Sequence, residues 1–196
     1  MTPRLAGKVC IITGTGGSVG REATLAFSRE GGLVVGCDIN ADAAEATVDL
    51  VRGDGGSIES LHPCDVTIPA ECQRLVDLAV HTFGQLDVLF DNTATAQFNW
   101  LEDISDEEWD RDRRGEVDLV FYLTRSAWPH LKASRGVVVN MASLNASLSF
   151  KPLPSLAHTT SKAGIVGMTR QLAMEGREHG IRANDLARRD RDQPDA

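Results

Sequence analysis

No stretch of this sequence is apolar for long enough to cross a membrane, and its beginning carries no signal-peptide pattern. The expectation is a cytoplasmic protein with no membrane partner. Basic clusters are missing too, and 28 acidic against 20 basic residues give a formal charge of −8, which argues against nucleic acid as a partner. The four cysteines, Cys10, Cys37, Cys64 and Cys72, lack metal-ligand spacing, so no metal site is expected. Three of them fall at or just after apolar runs, as buried reduced thiols of a cytosolic protein would. Aromatic residues make up only 5%, with a single tyrosine, Tyr122. No internal repeat of solenoid period is visible. What is there is a chain of 196 residues with ordinary globular composition, enough for one domain with a sizeable core.

The most informative stretch is Val9-Cys10-Ile11-Ile12-Thr13-Gly14-Thr15-Gly16-Gly17-Ser18-Val19-Gly20. Val9 to Ile12 reads as a fully buried strand, and from Val19 onward Ala23, Ala26 and Phe27 recur on one helical face. A strand, a glycine turn and a helix N-terminus together make an anion site. Glycine lets the backbone approach a ligand, and free N–H groups with the helix dipole favour a pyrophosphate. The next apolar run, Leu33 to Cys37, ends in Asp38, placed as a ribose-binding carboxylate should be.

The alternation continues along the chain. A helix is expected over Ala41 to Gly53, a strand over Ser57 to Leu61, and a helix from Pro69 through Phe83. Strands follow at Leu86 to Phe90 and Val137 to Asn140, with a helix start at Ser105-Asp106-Glu107-Glu108 and a long helix over Gly115 to Lys132. Another long helix lies within Pro154 to Glu178, and a sixth strand begins over Ile181 to Leu186. Strands separated by helices in this way give an α/β fold with a doubly wound parallel sheet and right-handed crossovers. Ligands of such sheets bind beyond the carboxyl ends of the strands.

With these residues in place, Lys8 to Asn184 resembles the short-chain dehydrogenase/reductase family. Thr13, Gly14 and Gly20 match its Thr-Gly-x-x-x-Gly-x-Gly loop, with Ser18 at the middle glycine and Gly16 and Gly17 restoring freedom. Asp65-Val66 is similar to the family's adenine-contacting pair, and Asn92 matches within Asp91-Asn92-Thr93-Ala94, where Asn-Asn-Ala-Gly is usual. Trp109, Ser143 and Ser161-Lys162-Ala163 complete the register. The resemblance implies a single Rossmann-fold domain that binds its dinucleotide through Gly14, Gly16, Ser18, Val19, Gly20, Asp38, Asp65, Val66, Asn92 and Lys162. Asp38 points to NAD, because a carboxylate accepts from both ribose hydroxyls and repels a 2′-phosphate. It also implies a small alcohol or ketone as substrate, and pairing of copies through the two long helices.

At the catalytic positions Ser143 and Lys162 match the family. Its general acid/base tyrosine, four residues before the lysine and so on the same helical face, is replaced by His158. Its helix asparagine is replaced by Glu116. Two readings stand. In one, His158 moves the proton, as an imidazole can at neutral pH, and Glu116 orients it or pairs with Lys162. In the other, the tyrosine is simply lost. The expected function is therefore an NAD-dependent oxidoreductase acting on a secondary alcohol or ketone. The alternatives are a catalytically impaired dinucleotide-binding pseudo-enzyme and a non-redox acid/base enzyme using Glu116 and His158.

After Asn184 the resemblance stops, and Asp185 to Ala196 is mostly charged without helical or strand period. Residues 1–184 are thus expected to form the domain and 185–196 an irregular, disordered tail. One GC-rich spelling of that tail, read one base on, encodes Ile-Ser-Pro-Gly-Val-Ile-Glu-Thr, which restores the family's Pro-Gly and Thr. The expectation is a frameshifted, truncated member that lacks the final strand and substrate lid.

Overall fold

The computed structural model describes residues 3–188. Six strands form one parallel sheet: β1 (Val9–Thr13), β2 (Leu33–Cys37), β3 (Ser57–Leu61), β4 (Val88–Asp91), β5 (Val137–Ser143) and β6 (Arg182–Arg188). Their order is β3-β2-β1-β4-β5-β6. The chain winds outward in one direction from β1 and then in the other from β4, so the loops after these two strands diverge and leave a crevice. Helices α1 (Ser18–Arg29), α2 (Ala41–Gly53), α3 (Pro69–Phe83), α4 (Asp106–Arg113), α5 (Leu119–Ser134) and α6 (Leu156–Gly176) connect them.

The strand residues are apolar on both faces, because both faces are covered. Val9, Ile11, Val35, Leu89 and Val138 belong to one core with Leu75 of α3, Leu119 and Leu123 of α5 and Ile165 of α6. Their immediate neighbours Ile12, Val34 and Phe90 point the other way, into a core with Leu25 of α1 and Val48 and Val51 of α2. This is the strand period of two, read off adjacent residues. Local signals set the helix ends. The Asn40 side chain accepts from Ala43 N at 3.1 Å at the start of α2, and Ser105 and Glu108 form a reciprocal capping box at the start of α4. Pro69 opens α3, and Gly84 closes it at φ +80°.

Three segments differ from the sequence reading. The long helix expected over Gly115 to Lys132 instead begins as a π-helical turn, Arg114–Asp118, between α4 and α5. Strand β5 runs on to Ser143, pairing residue by residue with β6 from Val137↔Arg182 to Ser143↔Arg188. Strand β6 therefore continues past the expected Leu186 to Arg188, through the first residues of the stretch also expected to be an irregular tail. A parallel ladder needs only backbone groups, so the polar side chains of Asn184 and Asp185 do not prevent it. Residues 189–196 of the expected tail lie outside the described residues.

At the carboxyl end of β4 lies a buried acid. The Thr13 hydroxyl donates to Asp91 Oδ1 at 3.2 Å and accepts from the backbone N–H groups of Asn92 and Thr93, both at 2.9 Å. Asp91 Oδ2 has no partner, nor does Oδ1 of Asn140, its register neighbour on β5. Burial pushes the Asp91 carboxyl up to about 7, opposed by the Thr13 hydrogen bond and the charge of Lys162.

The fold therefore holds a proton on Asp91 that the unfolded chain has already released, so this residue lowers stability as pH rises from about 4 to about 7. Asp91→Asn removes the charge and offers a donor to Asn140. We expect it to raise the unfolding free energy at pH 8 by on the order of 2–4 kcal/mol and to change it little at pH 4. Urea denaturation of both proteins at the two pH values checks this; an equal effect at both would assign the gain to packing.

Candidate active site

The loop after β1 is shaped by backbone contacts. Gly14 N and Thr15 N both donate to the Cys37 carbonyl, at 2.8 and 3.1 Å, and Gly14 takes φ +70°. The next turn brings Gly20 so close that an added Cβ would lie 2.0 Å from the Gly14 carbonyl oxygen. Ser18, at the family's middle glycine, stands in the first turn of α1. Gly17 caps α1 without a side chain to accept from its first N–H groups, so these remain available to a ligand.

The Asp38 carboxylate is fixed by two backbone donors, Gly16 N to Oδ2 and Asn40 N to Oδ1, each at 2.8 Å. Asp65 Oδ1 accepts from Thr67 N and the Thr67 hydroxyl. The Asn92 amide donates to the Thr13 carbonyl at 3.0 Å, tying the loop after β4 to β1. One cavity of about 570 Å³ is lined by Gly14, Gly16, Ser18, Val19, Gly20, Asp38, Asp65, Val66 and Asn92, and at its other end by Ser143, His158 and Lys162. Eleven of the residues predicted from the sequence are thus brought together with His158 on one wall. Glu116 is the exception.

Glu116 has no exposed surface and lies behind His158. Its Oε1 is 2.8 Å from His158 Nδ1 and 3.6 Å from Lys162 Nζ, while Oε2 has no partner. A carboxylate oxygen only accepts, so Nδ1 is the donor in this bond, and the His158 side chain also lines the cavity. Lys162 is held by donating to the Met141 carbonyl at 3.0 Å. Ser143 Oγ accepts from Asn145 N at 3.2 Å, which leaves its own proton undirected by that contact. Tyr122, the single tyrosine, packs against the core beside Arg125 and is not in the cavity wall.

Sequence reasoning missed two features. Gly115 N-terminal to Glu116 is needed because a Cβ there would meet Thr95 Oγ1 at 1.8 Å; a glycine inside a helical pattern was the signal. Phe98, nearly half exposed, sets its ring 5.6 Å from the His158 imidazole. It is held by its neighbours: Gln97 N donates to buried Asp112 at 2.8 Å, and the Asn99 amide to Glu108 at 3.0 Å. Nothing in the local pattern joins Phe98 to a residue sixty positions on.

All four cysteines are buried and free, and Cys37 and Cys64 also line the cavity. Burial, with Asp87 nearby, pushes the Cys10 thiol up to about 12. No group of three or more metal-ligating side chains occurs among the described residues, and no helix among them is long and apolar enough to cross a membrane.

The family model for short chain dehydrogenases matches residues 8–188. Peroxisomal multifunctional enzyme type 2 of Mus musculus is 33% identical over 94% of this chain, which spans 26% of that protein. D-threitol dehydrogenase of Mycolicibacterium smegmatis is 30% identical over 94% of this chain and 70% of its own length. A crystal structure of a short chain dehydrogenase from Mycobacterium smegmatis superposes with a TM-score of 0.88 at 30% identity, covering 94% of this chain and 78% of that one.

The cradle geometry leaves no room for a side chain at Gly20. Gly20→Ala must move the loop backbone, since the atom it meets is a carbonyl oxygen and not a flexible side chain. We expect the melting temperature to fall by roughly 5 °C or more. Gly53→Ala, which meets nothing within 4 Å, is the control and should leave it unchanged or higher.

Proposed function

Since the chain belongs to the short-chain dehydrogenase family, and is an oxidoreductase of that family, we propose that it moves a hydride between NAD(H) and a secondary alcohol or ketone, with His158 as acid/base. The observation that carries this is the 2.8 Å bond from His158 Nδ1 to Glu116, which engages one ring nitrogen and leaves the other for proton transfer in a side chain that lines the same cavity as the glycine cradle.

The residues present fit a dinucleotide. The close approach of Gly20 to Gly14 leaves backbone, not side chain, facing the cavity, and the uncapped N-terminus of α1 suits a pyrophosphate. Asp38, held by two backbone donors, suits the ribose hydroxyls of NAD and disfavours a 2′-phosphate. When bound, the nicotinamide ring accepts or supplies the hydride.

In alcohol oxidation the Ser143 hydroxyl donates to the substrate oxygen and His158 Nε2 removes the hydroxyl proton. Glu116 does not touch substrate; it fixes the tautomer and balances the imidazolium that forms. Lys162, buried beside both, offsets the Glu116 charge and holds a cation against the ribose end of the cavity.

Two results are expected. Asp38→Ala should weaken NADH binding by about tenfold and narrow the gap to NADPH, as read by fluorescence titration; a wild type that already prefers NADPH would overturn the cofactor assignment. His158→Ala should abolish alcohol-dependent NADH formation while leaving NADH binding intact. If wild type is inactive and His158→Tyr gains activity, the imidazole is not the acid/base and the proposal fails.

A further inference from the structure

We propose that Ser143, His158 and Glu116 also act as a nucleophile, base and orienting carboxylate that hydrolyse activated esters of small apolar acids. This activity needs neither dinucleotide nor hydride transfer, and it arises because an imidazole stands where the family has a phenol. A phenol bonded to a lysine cannot be aligned by a carboxylate and relay a serine proton in this manner; an imidazole with two nitrogens can.

The parts are each present. The orienting bond, His158 Nδ1 to Glu116 Oε1 at 2.8 Å, is sealed from water because Glu116 has no exposed surface. That bond fixes the tautomer in which Nε2 is the base. Ser143 lines the same cavity, and its Oγ accepts from Asn145 N, so the hydroxyl proton is available to a base. Ser143 and His158 share no direct hydrogen bond, the looser arrangement that nucleophile and base commonly show before substrate binds.

Charge and shape suit an acyl group. Lys162, whose ammonium donates to the Met141 carbonyl, lines the same cavity as Ser143 and would supply the cation for a developing oxyanion. The tethered ring of Phe98, 5.6 Å from the His158 imidazole and nearly half exposed, offers apolar surface beside the base. The chemical class follows: an uncharged ester with a short apolar acyl group and a good leaving group.

The step balances. Ser143 Oγ bonds to the acyl carbon as its proton passes to His158 Nε2. The acyl carbon–oxygen bond to the leaving group breaks, and the imidazole returns the proton to the departing oxygen. Water then attacks the Ser143 ester, giving its proton to Nε2; the carboxylic acid leaves and Oγ regains a proton.

The test uses p-nitrophenyl acetate and the full chain without nucleotide. We expect a burst of p-nitrophenol, one acetyl group on Ser143 in the trapped protein, and a fluorophosphonate adduct at the same residue. Ser143→Ala and His158→Ala should each lower turnover by roughly 100-fold or more, and Glu116→Gln should lower kcat with KM unchanged. Undiminished hydrolysis in Ser143→Ala, label on His158 or Lys162 instead, or a wild-type rate equal to buffer would overturn the proposal. Wild-type labelling needs no variant to fold. Hydride transfer is measured separately, so failure of either activity leaves the other decided on its own result.

Discussion

A carboxylate with no exposed surface cannot stand alone: leaving its charge without partners would cost several kcal/mol. Glu116 meets this condition by drawing an imidazole to 2.8 Å and an ammonium to 3.6 Å of one oxygen. Helix α6 is thereby locked against the π-helical turn, and two of its side chains, one turn apart, are aimed by one acid. The family's phenol and asparagine make no such demand, so Glu116 and His158 make sense only as a pair.

The second constraint is steric. The cradle holds together because carbonyl and amide groups of β1, β2 and β4 meet at the reversal of strand order, with Thr13 serving Asp91, Asn92 and Thr93 at once. Side chains are nearly excluded there, so the wall offered to a ligand is rigid backbone. Asp38 obeys the same rule, since its direction is set by N–H groups of Gly16 and Asn40 and not by another side chain.

Much of this was legible in the residues. The apolar runs at Val9, Leu33 and Val137 declared buried strands, and the bounds of α2, β3 and α3 follow from Asn40, the glycines after Arg52, and Pro69 with Gly84. The cavity residues were legible through motif spacing, because strand ends of a doubly wound sheet must converge. Other features depend on tertiary contact and leave no local trace. The residues after Leu186 gave no strand period, yet β5 carries the ladder on to Arg188. The ring of Phe98 reaches His158 only through bonds to Asp112 and Glu108 on α4.

The π-helical turn at Arg114–Asp118 has a consequence for how this chain can tolerate change in length. Such a turn accommodates about one residue more than an α-helical turn does, and each residue of a helix is worth roughly 100° of rotation. Removing a single residue here would regularise the helix, and would swing Glu116 around to another face relative to everything that precedes it. Length and direction are thus coupled at this point, so the segment resists deletion more strictly than substitution.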